Sequence, residues 1–139
     1  MSFETLGDVN YLAVLVATVA WALLGAIWFA PPVLGRASFR ASGWDMPERP
    51  PSAMYLAASL LLYFIAAVAT AWIARETGSE TVTDGVVLGL AVGIGYMMVL
   101  TAVVAMFERK PHPAAWFSIN APFSVLGLLI VGVIVSVWD

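Results

Sequence analysis

The sequence predicts an all-α polytopic membrane protein, a bundle of four transmembrane helices with both termini outside, and three observations carry that prediction. Apolar residues fill 62% of the 139 positions, with 11 glycines besides, whereas soluble domains sit nearer half even with glycine counted. The 6 basic and 9 acidic residues gather in short stretches and leave charge-free runs at 9–35, 50–74, 85–107 and 111–138. Roughly 20 apolar residues of helix cross a hydrocarbon core, and every run supplies that many. Barrel strands would be about ten residues long with strict alternation, a pattern none of the runs shows.

The first span is expected at 9–30, with Asp8 as its N-cap and Pro31 and Pro32 ending it, because proline removes a helical N–H and clashes with the preceding turn. Acidic Glu4 and Asp8 stand where a secretory signal would carry basic residues, so this run is read as a permanent span. The second span is expected at 54–74, capped by Ser52 and closed by Arg75, Glu76 and Gly78. Thr83 and Asp84 offer a cap for the third span, 85–107. The fourth, 114–138, follows a link so short that spans three and four must form an antiparallel hairpin.

Orientation follows from the basic residues, which resist translocation and stay in the cytoplasm. Arg36, Arg40, Arg49, Arg109 and Lys110 fall in connections on one side, and only Arg75 on the other. The expected location is therefore the plasma (inner) membrane, multi-pass, with both termini extracytoplasmic. Trp28, Trp44, Tyr55 and Trp116 would mark the cytoplasmic interface, with Tyr11, Trp72 and Trp138 at the outer one. The 31–52 connection spaces Val33, Leu34, Ala37, Ala41 and Trp44 as one helical face. This suits a short helix lying in the interface, where Arg36, Arg40, Arg109 and Lys110 contact anionic lipid; a plain loop whose arginines only set topology is the alternative.

Composition and motifs exclude several functions. A net charge of -3 does not suit a nucleic-acid partner, which calls for clustered cations. The absence of cysteine removes thiol catalysis and thiolate metal sites. No Asp, Glu, Lys, Arg or His lies inside an expected span, whereas pumps and proton-coupled transporters depend on such groups. No metal-ligand spacing, catalytic triad or nucleotide loop is present, so no cofactor and no enzymatic activity are expected. The one enzymatic alternative would use His112, Arg109 and Glu108 at the interface.

Two features remain inside the spans. Small residues recur every four positions, at Gly85, Gly89 and Gly93 and at Thr18, Ala22, Ala26 and Ala30, and such rows let helix backbones approach closely in lipid. At about 1.5 Å of rise per residue, Thr101 and Asn120 lie level near the cytoplasmic boundary. Ser59, Tyr63, Ser124 and Gly25 lie close to that depth. A polar layer of Ser59, Tyr63, Thr101, Asn120 and Ser124 is therefore expected, either as interhelical hydrogen bonding or as a small cavity. Pro122 beside it frees a backbone carbonyl that needs another donor.

The segments Val9-Asn10-Tyr11-Leu12-Ala13, Leu24-Gly25-Ala26-Ile27-Trp28-Phe29-Ala30-Pro31, Leu34-Gly35-Arg36, Thr83-Asp84-Gly85, Ala105-Met106-Phe107-Glu108-Arg109-Lys110-Pro111 and Ile119-Asn120-Ala121 resemble a family of small bacterial and archaeal membrane proteins known as domain of unknown function 1761. Nearly the whole chain takes part. The resemblance implies a four-helix integral membrane protein and brings no activity with it. The function expected is a non-catalytic bundle embedded in the lipid bilayer, forming a homo-oligomer or serving as a small subunit of a larger membrane complex. The alternative is a channel or carrier for a small neutral or anionic solute.

Overall fold

A computed structural model describes residues 1–138 of the chain, and among them every regular element is helical. After a short 3-10 turn at Phe3–Asp8 come α1 (Tyr11–Trp28), α2 (Arg36–Ser42), α3 (Ala53–Thr77), α4 (Val82–Phe107) and α5 (Pro113–Val137). All but α2 are long and apolar enough to cross a membrane. The turn Pro31–Gly35 is wound as one π-helical turn leading into α2, and α4 widens into a π-helical segment at Gly93–Met98.

The helix starts differ from expectation at two places. Asp8 closes the 3-10 turn, and Asn10 caps α1 by accepting from the amides of Leu12 at 3.1 Å and Ala13 at 3.2 Å. Neither Thr83 nor Asp84 is the cap of α4. Thr81 is, its hydroxyl accepting from the Asp84 amide at 3.1 Å while the Asp84 carboxylate accepts from the Thr81 amide at 3.0 Å. This reciprocal capping box satisfies two amides that a lone cap would leave open and starts the helix three residues early. Ser52 caps α3, and Gly78 ends it in the left-handed conformation at φ 65°.

α5 is the axis of the bundle. Half of its most apolar stretch is buried, compared with 28% in α1, 17% in α3 and 11% in α4. Val14, Ala17 and Trp21 of α1, Ala67, Ala71 and Ala74 of α3, and Phe123, Leu128, Val131 and Val135 of α5 form the core. α4 adds mostly backbone. A Cβ on Gly85 would lie 2.6 Å from Gly132 O, one on Gly89 2.6 Å from Leu129 Cα, and one on Gly93 3.1 Å from Val125 Cα. The glycine row therefore packs within the chain, antiparallel against α5, and Gly132 answers it with its own missing side chain 2.5 Å from Gly85 O. Close backbone approach gives van der Waals contact where lipid supplies no hydrophobic drive between helices.

The small row expected on α1 does not form a seam. Thr18 is buried, Ala22 and Ala30 half-buried and Ala26 exposed. With 3.6 residues per turn, each four-residue step advances about 40° around the helix, so the row rotates out of the interface. The buried stripe runs instead through Ala13, Val14, Ala17, Thr18 and Trp21.

Each end of the bundle is closed differently. At the α3 C-terminus the first residues form a strap: Phe3 stacks on Trp72 at 5.3 Å, Trp72 Nε1 donates to Thr5 Oγ1 at 3.0 Å, and Glu76 accepts from Thr5 and pairs with the terminal amine at 3.3 Å. Beside it Asn10 Nδ2 donates to Trp138 O at 2.7 Å. At the opposite end α2 docks on the α4–α5 link, with the His112 amide donating to Ala41 O at 3.4 Å and Gly43 held against Pro111.

Candidate functional site

The expected polar layer does not assemble. Ser59 faces outward and donates to Tyr55 O at 2.8 Å, Thr101 donates to Met97 O at 2.6 Å, and Ser124 to Asn120 O at 3.1 Å. Asn120 Nδ2 donates to Trp116 O at 2.9 Å instead of reaching Thr101. Each partner is the carbonyl four residues back on the same helix, a bond Ser and Thr make without leaving their own turn. Thr18 and Thr70 do likewise. Depth arithmetic placed these residues level with one another, but it carried no information on which way each side chain turns.

The cross-helix polar contact lies elsewhere. Trp28 Nε1 donates to Ile119 O at 3.0 Å, one residue from the Ser118 carbonyl whose helical amide partner Pro122 removes. Gly25 leaves room for the Phe123 ring, 3.3 Å from where its Cβ would be.

Tyr63 of the expected layer opens onto a cleft, which Ser124 also borders. α3 and α4 both lean on α5 and barely touch each other, and between them lies a cavity of about 370 Å³ bordered by Trp21, Tyr63, Thr70, Tyr96, Met97 and Phe123. Trp21 stacks on Tyr63 at 4.7 Å, and its indole N–H, buried against Gly127, has no hydrogen-bond partner. The π-helical segment of α4 supplies Tyr96 and Met97 to the cleft. Neither the Tyr63 nor the Tyr96 hydroxyl has a hydrogen-bond partner among the described residues, although both residues lie near the middle of their helices. Toward the arginine-rich end, α3 from 53 to 62 is exposed on every side.

The basic residues divide. Arg36, Arg40 and Arg109 are exposed, and Arg109 takes φ 48°, a left-handed conformation unusual for a residue with a Cβ. Lys110 is withdrawn: its Nζ lies 2.9 Å from a Glu108 carboxylate oxygen and 5.3 and 4.8 Å from the Trp44 and Trp116 ring centres. It is thus held inside the protein surface, where the sequence placed it against lipid. His112 is exposed, and Glu108 is engaged by Lys110. No group of three His, Cys, Asp or Glu side chains able to hold a metal occurs among the described residues.

Sequence reasoning passed over Trp21 and Tyr96 at the cleft and Ser38 and Ser42 on α2. The serines carry a legible signal, being four apart and hence on one face of a helix. The cleft had none, because it results from two helices diverging.

Four apolar helices around a shared core, with the basic residues toward their ends, define the class: a multi-pass helical membrane protein. Within that class the chain belongs to the family described as Protein of unknown function (DUF1761), whose model matches residues 12–136. No curated protein and no solved structure shows a match to this chain.

Proposed function

We propose that this is a non-catalytic protein of the plasma (inner) membrane, both termini outside, that self-associates through the cleft between α3 and α4, the same face serving if it is a subunit of a larger membrane complex. The observation that carries the reading is the pair of unpartnered phenols, Tyr63 and Tyr96, on the two sides of that cleft. Hydrocarbon offers no hydrogen-bond partner, so a polar group at this depth is satisfied by protein or not at all. A helix from a second copy laid along the cleft supplies carbonyls to both hydroxyls and covers the bare length of α3. Most other intramembrane hydroxyls already hold bonds within their own helices, which leaves a solute path little to offer.

The absence of native cysteine makes the test direct. A Leu100→Cys variant, on the α4 side of the open face, should cross-link between copies in native membranes. Leu23→Cys, equally exposed but on α1, should not. Tyr63→Phe combined with Tyr96→Phe should weaken association about threefold per bond lost, given roughly 0.6 kcal/mol for an interhelical hydrogen bond. Equal cross-linking at both cysteines, or at neither, would count against this interface.

A further inference from the structure

Several polar atoms without a hydrogen-bond partner face one pocket at the arginine-rich end, between α2 and α5. It has a volume of about 210 Å³ and is lined by Ser38, Phe39, Ser42, Trp44, Trp116 and Asn120. Ser38 Oγ and Ser42 Oγ have no hydrogen-bond partner among the described residues. Thr101, Ser118 and Ser124, by contrast, all bond the carbonyl four residues back. Asn120 spends one N–H on Trp116 O and keeps its second N–H and its carbonyl oxygen free. Two hydroxyls and half an amide thus face one space walled by three aromatic rings.

The chemistry of these walls selects the ligand. No free cation lines the pocket. Lys110, set against the pocket's Trp44 and Trp116, is neutralised by Glu108, with its side chain 10% exposed. Arg36 and Arg40 are each two residues from Ser38, about 200° around α2, and point away. An anion therefore has no counter-charge here. A ligand ammonium would compete with Lys110, which already occupies both indoles. What remains is a neutral group that both donates and accepts hydrogen bonds and also presents C–H faces to aromatic rings, whose negative faces attract them.

We infer that the pocket formed by Ser38, Ser42, Asn120, Trp44 and Trp116 binds a polyhydroxyl group, a single sugar ring or a glycerol. Its volume is below the roughly 300–1,000 Å³ of drug-sized sites and admits one ring. The group is carried by a lipid headgroup or arrives free in solution, and the hydrogen-bonding chemistry is the same for both.

The test uses the full chain in phosphatidylcholine nanodiscs doped with monoglucosyl diacylglycerol. Lipid retained after detergent exchange is counted by native mass spectrometry, and free glucose and glycerol are titrated calorimetrically on the same protein. Selective retention of the glucolipid without heat from free glucose assigns the site to a headgroup. Saturable heat from glucose or glycerol without lipid preference assigns it to a free polyol. In either case Ser38→Ala with Ser42→Ala should lower binding about tenfold, as two lost hydrogen bonds imply. Ser38→Thr, which keeps the hydroxyl, should bind as the parent does, and unchanged helical circular dichroism shows that the variants fold. No preference together with no heat overturns the proposal, as does a preference that survives loss of both hydroxyls.

Discussion

Trp21 shows how a single position organises the bundle. Its ring is 3% exposed, stacked on Tyr63 of α3 and tilted against Phe123 of α5 at 6.5 Å. It therefore ties three helices together. The ring fits only because residue 127 has no side chain, since a Cβ there would lie 2.0 Å from Trp21 Nε1. The obstacle is a rigid, buried indole that cannot swing aside into solvent. Gly127→Ala should accordingly destabilise the protein by about 1–3 kcal/mol, the usual cost of overpacking, read as a lower unfolding midpoint in detergent. A midpoint equal to the parent's would mean that Trp21 has another rotamer open to it. The sequence holds no hint of what Gly127 meets, because a missing side chain does not name what fills its space.

At the scale of elements, what was legible followed from local rules. Span existence and length came from the charge-free runs, and Pro31 with Pro32 marked the end of α1. The glycine row of α4 was recognisable from spacing, because it is followed for only two four-residue steps and the drift stays small. The α1 row, followed for three, rotated out of contact. The short link already made α5 the neighbour of α4; what the sequence could not show was that Gly132 answers the row there, or the π-helical widening at Gly93–Met98. The two kinds of glycine in α4 make a matched comparison. Gly89→Ala pushes a methyl against Leu129 backbone, while a Cβ on Gly95 meets nothing within 4 Å. Gly89→Ala should separate α4 from α5 and lower the unfolding midpoint. Gly95→Ala should leave the stability unchanged or raise it by up to about 1 kcal/mol, the helix-propensity difference between the residues. Equal effects at the two sites would show that backbone contact is not what holds α4 in place.

For the whole molecule, the two ends of the bundle differ in chemistry, and that difference is the basis for the orientation proposed above. One end carries exposed Arg36, Arg40 and Arg109, with α2 docked on the α4–α5 link; the other carries the N-terminal strap, Glu76 and Arg75. Cationic connections are retained in the cytoplasm, and a short helix with exposed arginines gains roughly 1 kcal/mol per charge from the anionic lipid of that leaflet. Both effects favour the same orientation, although Lys110 adds to the first only, since Glu108 and two indoles hold it away from lipid. In intact cells, Arg40→Cys should therefore resist a membrane-impermeant maleimide until the membrane is opened, whereas Gly78→Cys, at an exposed turn, should react at once. Replacing Arg40 removes one of five basic residues and leaves the imbalance intact. The opposite labelling pattern would place the termini in the cytoplasm, and with them the strap, reversing the leaflet that the pocket between α2 and α5 faces.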